Sequence, residues 1–492
     1  MTDTKSNTRS LNADRAAGVL LGTACGDALG AGYEFAPARV NGEPVEMAGG
    51  GPFNWNPGEW TDDTSMAIVI AQVAALGADL REPQSLDGVV REWARWATTA
   101  SDVGLQTRAV LTSAGPVPTA ATAVAAAAEH HARTGKSAGN GSLMRTAPVA
   151  LAYLDDHEAL DDAARVISAL THADPEAGEA CALWCHAIAH AVQHGSFDGL
   201  RLAVARLAPD RAAVWTQRLD AAEQVEPHEI ANNGWVVAAL QAAWSAIVRT
   251  PVPAEAPSRH FAHALEAAVR SGADTDTVAA IAGGLLGARW GASAVPLAWQ
   301  RVVAGWPGLR SRDITALALL VARRGQPDSQ GWPLAPRHNY SSYGDTTTVV
   351  AHPHDAAVIL GGVSSVRDLP PEVTAVVSLC RLGSDEVPAS TVSRGNHVEV
   401  WLIDSDAPDA NPHLDHVLAD AADTVAALRA EGHTVLLHCV QAHSRTPTVA
   451  ALYASRHLGI EPAEALLEVC AALPNAHPNR AFLAALQRLA PA

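Results

Sequence analysis

Two short acidic motifs, far apart in the chain, carry the residue types best suited to binding divalent metal ions. Residues 61–64 read Thr-Asp-Asp-Thr and residues 274–277 read Asp-Thr-Asp-Thr, and each motif stands just before an apolar, helix-like run. Carboxylates and hydroxyls are hard oxygen ligands, which Mg²⁺ and Mn²⁺ prefer. If the fold brings the two helix starts together, the motifs form a site for two metal ions.

Helix capping is the alternative explanation for these motifs. Thr and Asp are common N-cap residues, and acidic side chains suit the positive end of a helix dipole. Capping explains either motif alone equally well. Two near-identical motifs favour a cation, because clustered carboxylates repel one another unless a positive charge neutralises them.

A third motif, near the C-terminus, has the form of a phosphate-binding loop. Cys439 and Arg445 are separated by five residues and lie between an apolar strand-like run at 434–437 and a helix-like run at 447–459. Backbone N–H groups of such a loop point at one spot, and an arginine can bind two phosphate oxygens. The same positive field favours a nucleophilic thiolate at Cys439. The alternative is a buried cysteine that ends a strand, with the arginine on a solvated turn.

The pattern of residues changes near residue 330. The preceding part is helical and its Gly/Pro clusters read as turns, which predicts an all-α domain at 15–324. Residues 325–347 are rich in Pro, Gly, Ser and Asp and predict a linker. Beyond it, short β-like runs alternate with helical patterns, which predicts an α/β domain at 348–492 with a mainly parallel sheet. The candidate helices of the first domain are 64–77, 86–99, 120–133, 158–170, 177–194, 234–248, 260–271 and 276–289.

Composition narrows the classes of function and location. The net charge of −18 argues against a nucleic-acid partner, which requires clustered Lys and Arg. No apolar run approaches about 18 residues and the N-terminus has no apolar signal core, so we expect neither a membrane span nor secretion. Six cysteines in 492 residues suit a reducing cytoplasm better than a disulfide framework.

Residues 15–330 resemble the ADP-ribosylglycohydrolase family, which includes the dinitrogenase reductase-activating glycohydrolase. The resemblance rests on short motifs that follow one another in the family's order. These are Gly22-Thr23-Ala24-Cys25-Gly26-Asp27-Ala28-Leu29-Gly30 with Glu34, Trp60 to Thr64, Asp102-Val103-Gly104, Gly139 to Arg145, Thr171-His172 and residues 274–277.

The resemblance implies an all-α fold and attack on the anomeric carbon of an ADP-ribosyl group. It also implies two divalent cations, Mg²⁺ or Mn²⁺; paired ions of this kind orient a substrate and activate water. Glu34 matches a family acid that acts in proton transfer, although it could also be a solvated loop acid. The implied metal ligands are Thr61, Asp62, Asp63, Asp274, Asp276 and Thr277.

A second set of residues is implied to contact the substrate. The stretch 139–145 contains two glycines, so its backbone N–H groups could reach a diphosphate or a ribose. Gly-Asn-Gly is also a common turn, which makes this stretch weak evidence on its own. The implied substrate-binding residues are Asp27, Asp102, Gly104, Gly139, Asn140, Gly141, Ser142, Met144, Arg145 and His172.

Residues 348–490 resemble the dual-specificity protein tyrosine phosphatases. By this resemblance Asp406 is the general acid, which protonates the leaving group, because Asn411 follows it at the family's spacing. Asp404 and Asp409 compete for the role. The implied catalytic residues of this domain are Cys439, Arg445, Asp406 and Thr446.

One residue departs from the phosphatase pattern. The family usually has glycine at the third position after the cysteine, and this chain has Ala442. If the loop requires a positive φ there, the methyl group strains or reshapes it. A loop that binds phosphate but catalyses weakly is therefore an open alternative.

Together these features predict a two-domain hydrolase. The first domain would remove ADP-ribose from a protein side chain or a related small molecule, and the second would be a cysteine-dependent phosphatase acting on a phosphorylated substrate. Two alternatives stay open: a phosphatase whose helical domain only binds an ADP-ribosylated ligand, and an ADP-ribose-binding protein without catalysis. Both domains could serve one phosphorylated ADP-ribosyl compound.

Overall fold

Helices predominate in the described chain up to residue 326, and a five-stranded sheet with flanking helices forms the framework of the part that follows. The structure is a computed structural model and describes residues 2–39, 42–344 and 347–489. It divides into two compact units. The helical unit comprises Asn12–Val295 and Val302–Gln326, and the α/β unit comprises Pro296–Arg301 with the described parts of 1–11 and 327–492.

The first fifteen helices and a small hairpin precede residue 326. The helices are α1 (Thr2–Gly30), α2 (Asp62–Ala74), α3 (Pro83–Trp96), α4 (Leu105–Ser113), α5 (Ala120–Thr134), α6 (Ala147–Ala152), α7 (His157–Ala169), α8 (Pro175–His194), α9 (Gly199–Val204), α10 (Pro209–Ala222), α11 (Val236–Arg249), α12 (His260–Val269), α13 (Thr275–Trp290), α14 (Leu297–Val302) and α15 (Ser311–Ala322). The antiparallel hairpin pairs β1 (Ala304–Gly305) with β2 (Leu309–Arg310).

The central helix of the helical unit is α13. Its sequence is apolar on all sides after the first turn, and nearly all of its residues are buried, as expected of a helix surrounded by others. Glycines let α1 lie directly against it: a Cβ on Gly22 would stand 2.2 Å from the backbone oxygen of Gly283. At the end of this contact, the Thr275 hydroxyl donates a hydrogen bond to the Gly30 carbonyl at 2.9 Å. The glycine contact thus fixes the position of the α13 N-terminus relative to α1.

The α/β unit is built on a sheet with the strand order β3-β4-β7-β5-β6. Its edge strand β3 is antiparallel to β4, and the other neighbours are parallel. In register, Val435 of β7 lies between Val358 and Ala375. The strands and helices are β3 (Val349–His352), β4 (Asp355–Gly361), α16 (Ser364–Arg367), β5 (Ala375–Ser378), β6 (His397–Glu399), α17 (Leu414–Ala430), β7 (Val435–His438), α18 (Arg445–Leu458), α19 (Pro462–Ala472) and α20 (Arg480–Leu489).

Both faces of this sheet are covered. Val435 and Leu437 of β7 face a core shared with α17, α18 and α20, whereas Leu436 between them faces a second, smaller core. This alternation follows from the two-residue period of a strand. The mostly helical unit and the mainly parallel α/β unit confirm the predicted fold class. Among the described residues, no helix is both long enough and apolar enough to cross a membrane.

Candidate active sites

The two acidic motifs meet in the helical unit. Thr61 caps α2, and Asp274 stands at the N-cap position of α13. The Thr277 hydroxyl donates a hydrogen bond to Asp63 Oδ2 at 3.3 Å, which links the motifs directly. Asp27, from the last turns of α1, accepts hydrogen bonds at 2.9 Å from the backbone N–H groups of Thr61 and Thr64. Three helices therefore converge on one group of carboxylates.

Two further acids complete this acid cluster. Glu34 follows the end of α1, and Asp102 lies in the connection between α3 and α4. One carboxylate oxygen from each of Glu34, Asp102 and Asp276 lies within 4.8 Å of the others, and no other group of this kind is found in the described residues. The backbone N–H of Gly104 donates to Asp62 Oδ2 at 3.1 Å. The loop that carries Asp102 is thereby tied to the first motif.

Burial and mutual repulsion disfavour the charged form of these acids. Burial, reinforced by the charges of Asp27 and Asp62, raises the pKa of Asp63 well above its ordinary value. Burial and the neighbouring acids raise the pKa of Glu34 to about 9 and that of Asp102 to about 7. Each of these groups would bind a proton or a cation more readily than an isolated carboxyl group does.

Several oxygens of the cluster have no protein partner. Glu34 Oε2, Asp63 Oδ1, Thr64 Oγ1 and Asp276 Oδ1 are buried without a hydrogen bond in the described structure. Buried polar atoms normally have partners, so a group of unpaired oxygens in one acidic cluster is consistent with a ligand-binding site. Because all the donors are hard oxygens, the chemistry of the cluster fits Mg²⁺ or Mn²⁺. The acid cluster can hold a divalent metal ion.

The stretch 139–145 lies beside the acid cluster. Asn140 Nδ2 donates hydrogen bonds to Asp274 Oδ2 at 2.8 Å and to the Asn233 carbonyl at 3.0 Å. The His172 ring packs against the glycines of this stretch; a Cβ on Gly141 would stand 3.3 Å from its Cε1 atom. The other predicted residues of the stretch, Ser142 and Met144, are buried.

Arg145 occupies a different kind of position. Its side chain is fully buried, and its guanidinium lies 4.0 Å from the Trp93 ring centroid. Its Nη2 donates to Thr171 Oγ1 at 2.6 Å, and that hydroxyl also lies 2.7 Å from His172 Nδ1. The Thr171 hydroxyl therefore links the Arg145 guanidinium to the His172 ring, which packs against Gly141.

The predicted phosphate-binding loop connects β7 to α18 in the α/β unit. Cys439 follows the last residue of β7 and is 2% exposed, and Arg445 begins α18. Arg445 Nη1 donates hydrogen bonds to the carbonyls of Leu379 and Leu402 at 2.6 and 3.2 Å. Arg445 Nε and Thr446 Oγ1 are buried and have no hydrogen-bond partner in the described structure. The segments that follow β5 and β6 thus hold the Arg445 side chain in place, while its Nε makes no hydrogen bond.

Ala442 takes the conformation that glycine would take. Its φ is +58°, and its side chain is buried. For an L-residue this left-handed conformation costs about 1 kcal/mol or more. The loop therefore keeps the backbone shape that a glycine permits, and alanine imposes a conformational cost on it.

The segment that follows β6 carries three candidate acids. Asn411 fixes its start, because its side chain accepts from Ile403 N at 2.9 Å and donates to Ile403 O at 2.8 Å. All three acids are exposed. Asp404 also accepts a hydrogen bond from Ser444 Oγ at 2.8 Å, which links it to the loop.

Two residues that help to build these sites have little signal in the sequence. Asn233 accepts a hydrogen bond from Asp274 N at 3.2 Å and donates one to the Gly272 carbonyl at 2.9 Å. It therefore fixes the backbone that enters the second acidic motif, yet in sequence it lies in an Asn-Asn-Gly turn. The sequence predicts Asp404 only as a competing general acid, and no neighbouring residue indicates its contact with Ser444.

Comparison with known proteins agrees with this geometry. Residues 8–330 match the family model described as ADP-ribosylglycohydrolase. The chain is 32% identical over 306 residues to ADP-ribosylarginine hydrolase Tri1 of Pseudomonas putida (strain GB-1), covering 59% of this chain and 74% of that protein. It is 30% identical over 293 residues to ADP-ribosyl-[dinitrogen reductase] glycohydrolase of Rhodospirillum rubrum, covering 58% of this chain and 89% of that protein.

A separate similarity concerns the phosphatases. The chain is 33% identical over 114 residues to dual specificity phosphatase 28 of Homo sapiens, covering 23% of this chain and 62% of that protein. Together with the loop between β7 and α18, this similarity identifies the α/β unit as phosphatase-like.

Proposed function

Because the chain belongs to the ADP-ribosylglycohydrolase family, we propose that its acid cluster hydrolyses the bond between ADP-ribose and an arginine side chain of a protein or a related compound. The observation that carries this proposal is the junction of the two acidic motifs, with Thr277 donating to Asp63 at 3.3 Å beside unpaired carboxylate oxygens. The choice of arginine is supported by the relative named as an ADP-ribosylarginine hydrolase.

The proposed cofactors are two divalent cations, Mg²⁺ or Mn²⁺. When bound, such ions supply positive charge that orients the substrate and activates water. The residues proposed to hold them are Thr61, Asp62, Asp63, Asp274, Asp276 and Thr277.

The remaining groups of this site would bind the substrate and move protons. Burial and nearby acids raise the pKa of Glu34 to about 9, so in the cation-free cluster this carboxyl group holds a proton at neutral pH. Cations would offset the repulsion and allow it to accept a proton from water. The ADP-ribosyl group would lie against Asp102, Gly104 and the stretch 139–145. Arg145 would act through His172.

The test is release of ADP-ribose from an ADP-ribosylarginine protein by the purified full chain. Asp62→Ala and Asp276→Ala should each lower the rate by at least about a hundredfold, and a chelator should abolish it. Asp210→Ala is the matched control, because Asp210 is an exposed acid in the first turn of another helix. Undiminished release in excess chelator would refute the metal-dependent mechanism. Tight binding of ADP-ribose without release would favour the non-catalytic alternative.

A second activity is proposed for the α/β unit, on the basis of its loop. Cys439 would attack a phosphoryl group, with Arg445 holding the phosphate oxygens and Asp406 protonating the leaving group. Thr446, whose buried hydroxyl is unpaired, would assist release of the thiolate in the second step. The Ala442 backbone conformation supports an intact loop and predicts slow turnover.

The two proposed activities can be tested independently with single substitutions in the full chain. Cys439→Ser should abolish turnover of p-nitrophenyl phosphate and leave ADP-ribose release unchanged, whereas Asp62→Ala should do the reverse. Phosphatase activity that survives Cys439→Ser would exclude this mechanism.

We propose that the activities reside in residues 15–324 and 348–492, and that they remove ADP-ribosyl and phosphoryl groups from related substrates. A chain with phosphatase activity alone would favour a helical unit that only binds ligand.

A further inference from the structure

We propose that Asp404 is a positioning residue of the phosphatase-like site: it holds the acid-bearing segment against the phosphate-binding loop and competes with an incoming oxyanion for Arg445. This inference rests on the proposed phosphatase function. It concerns a residue two positions before Asp406, and it does not make Asp404 the proton donor.

Asp404 is bound to two different parts of the α/β unit. Its Oδ1 atom accepts hydrogen bonds from Ser444 Oγ in the loop at 2.8 Å and from Asn479 Nδ2 at 3.0 Å. Asn479 in turn donates its backbone N–H to Ser444 Oγ at 3.3 Å, and its Oδ1 accepts from Phe482 N at 3.0 Å at the start of α20. Asp404, Ser444 and Asn479 therefore form a closed hydrogen-bonded network, in which the Asn479 backbone N–H is one of the donors.

This network and Asn411 hold the acid-bearing segment from both sides. Asn411 makes two hydrogen bonds to the backbone of Ile403, directly before Asp404. Asp404, the residue after Ile403, then attaches the segment to the loop through its hydrogen bond from Ser444. Asp406 follows within two residues, so its distance from the phosphate-binding loop depends on this attachment. Loss of the Asp404 hydrogen bonds should let Asp406 move away from the leaving group.

The second carboxylate oxygen of Asp404 faces the arginine. Asp404 Oδ2 lies 3.6 Å from Arg445 Nε, which is too far for a hydrogen bond, and Nε is buried without a partner. An oxyanion bound to Nε would therefore lie next to a carboxylate of the same charge. The Asp404 side chain is 35% exposed, so water screens part of this repulsion. We expect a reduction in oxyanion affinity of about three- to tenfold.

Two substitutions separate the two effects. Asp404→Asn removes the charge, while its amide oxygen can still accept from Ser444 and Asn479. Asp404→Ala removes both the charge and the hydrogen bonds. Both variants should bind tungstate about three- to tenfold more tightly than the unsubstituted chain. Only Asp404→Ala should also lower kcat for p-nitrophenyl phosphate, by about tenfold, with a lower KM. Glu372→Gln is the control, because Glu372 is an exposed acid of the same unit outside this segment, and it should change neither quantity.

The experiment uses the full chain, with tungstate affinity measured by calorimetry and turnover measured in parallel. Unchanged tungstate affinity in both Asp404 variants would overturn the competition with Arg445, and so would absence of tungstate binding in every variant. Unchanged kcat in Asp404→Ala, or weaker tungstate binding together with a lower melting temperature, would overturn the positioning role. Absence of turnover in the unsubstituted chain, with the expected affinity changes retained, would refute the phosphatase proposal but not the competition.

Discussion

The contact between α1 and α13 can be tested with one methyl group. A Cβ placed on Gly283 would stand 2.1 Å from the backbone oxygen of Gly22, whereas ordinary contacts begin at 3.4 Å. The Gly283→Ala variant must therefore move the two helices apart locally by about 1.3 Å, the difference between these distances. Backbone atoms cannot rotate away as a flexible side chain can, so the displacement falls on the helices themselves.

Both stability and catalysis should respond to this displacement. Overpacking of a core contact costs about 1–3 kcal/mol, which exceeds the gain of up to about 1 kcal/mol that alanine brings to a helix. Asp276 lies seven residues before Gly283, about 10 Å along α13. A shift near 1 Å at the acid cluster can lower a catalytic rate by about a hundredfold. We expect a net loss of about 1–2 kcal/mol in unfolding free energy and at least a tenfold loss of ADP-ribose release.

Gly88→Ala is the matched control. Gly88 also lies inside a helix, but a Cβ there would stand 3.9 Å from Val73 Cγ2, an ordinary contact. This variant should keep its activity and gain up to about 1 kcal/mol. The assays are urea unfolding and ADP-ribose release at saturating metal. If Gly283→Ala were as stable and as active as Gly88→Ala, the glycine contact would not position the acid cluster.

Four further outcomes are expected. At a free Mg²⁺ or Mn²⁺ concentration a hundred times its Kd, the unfolding free energy should rise by about 2.7 kcal/mol. If removing the metal with a chelator left the thermal midpoint of unfolding unchanged, metal binding would be contradicted. Without metal, the raised pKa of Glu34, from 4.5 to about 9, should stabilise the fold fully below about pH 4.5 and progressively less as pH rises towards 9. An unfolding free energy that does not fall between pH 4.5 and pH 9 would show that the carboxyl group is charged in the folded state over this range. Arg145→Lys should lose the contacts with Trp93 and Thr171 and about 2–3 kcal/mol in urea unfolding, whereas the exposed Arg133→Lys should lose nothing measurable. Ala442→Gly should gain about 1 kcal/mol by relieving the left-handed alanine and should raise phosphatase kcat; a less stable variant would show that alanine fits this position without strain.

The acidic motifs show which features of a site can be predicted from a short stretch of sequence. Their residue types and their position before apolar helices predicted oxygen ligands at two helix starts, because capping and ligand chemistry depend on a few neighbouring residues. The strand–loop–helix pattern around Cys439 predicted a phosphate-binding loop for the same reason. The change from helical to alternating patterns near residue 330 predicted two fold classes, and both are confirmed.

Other features could not be inferred from local patterns. Asn233 and Asp404 have ordinary turn or loop sequences, and their partners lie far along the chain: Asp274 for the first, Ser444 and Asn479 for the second. Arg145 sits in a glycine-containing motif but points into the core against Trp93. In each case the contact depends on how distant segments pack together, which cannot be predicted from a short stretch of sequence.

Residue types alone establish which atoms are available for chemistry: hard oxygens at two helix starts, and a thiol and a guanidinium on one loop. The contacts of Thr277 with Asp63 and of Ser444 with Asp404 depend on the fold. Ligand type is a property of a side chain, whereas the convergence of side chains depends on how closely the elements that carry them approach. For the acid cluster, that approach is set by backbone contact between Gly22 and Gly283.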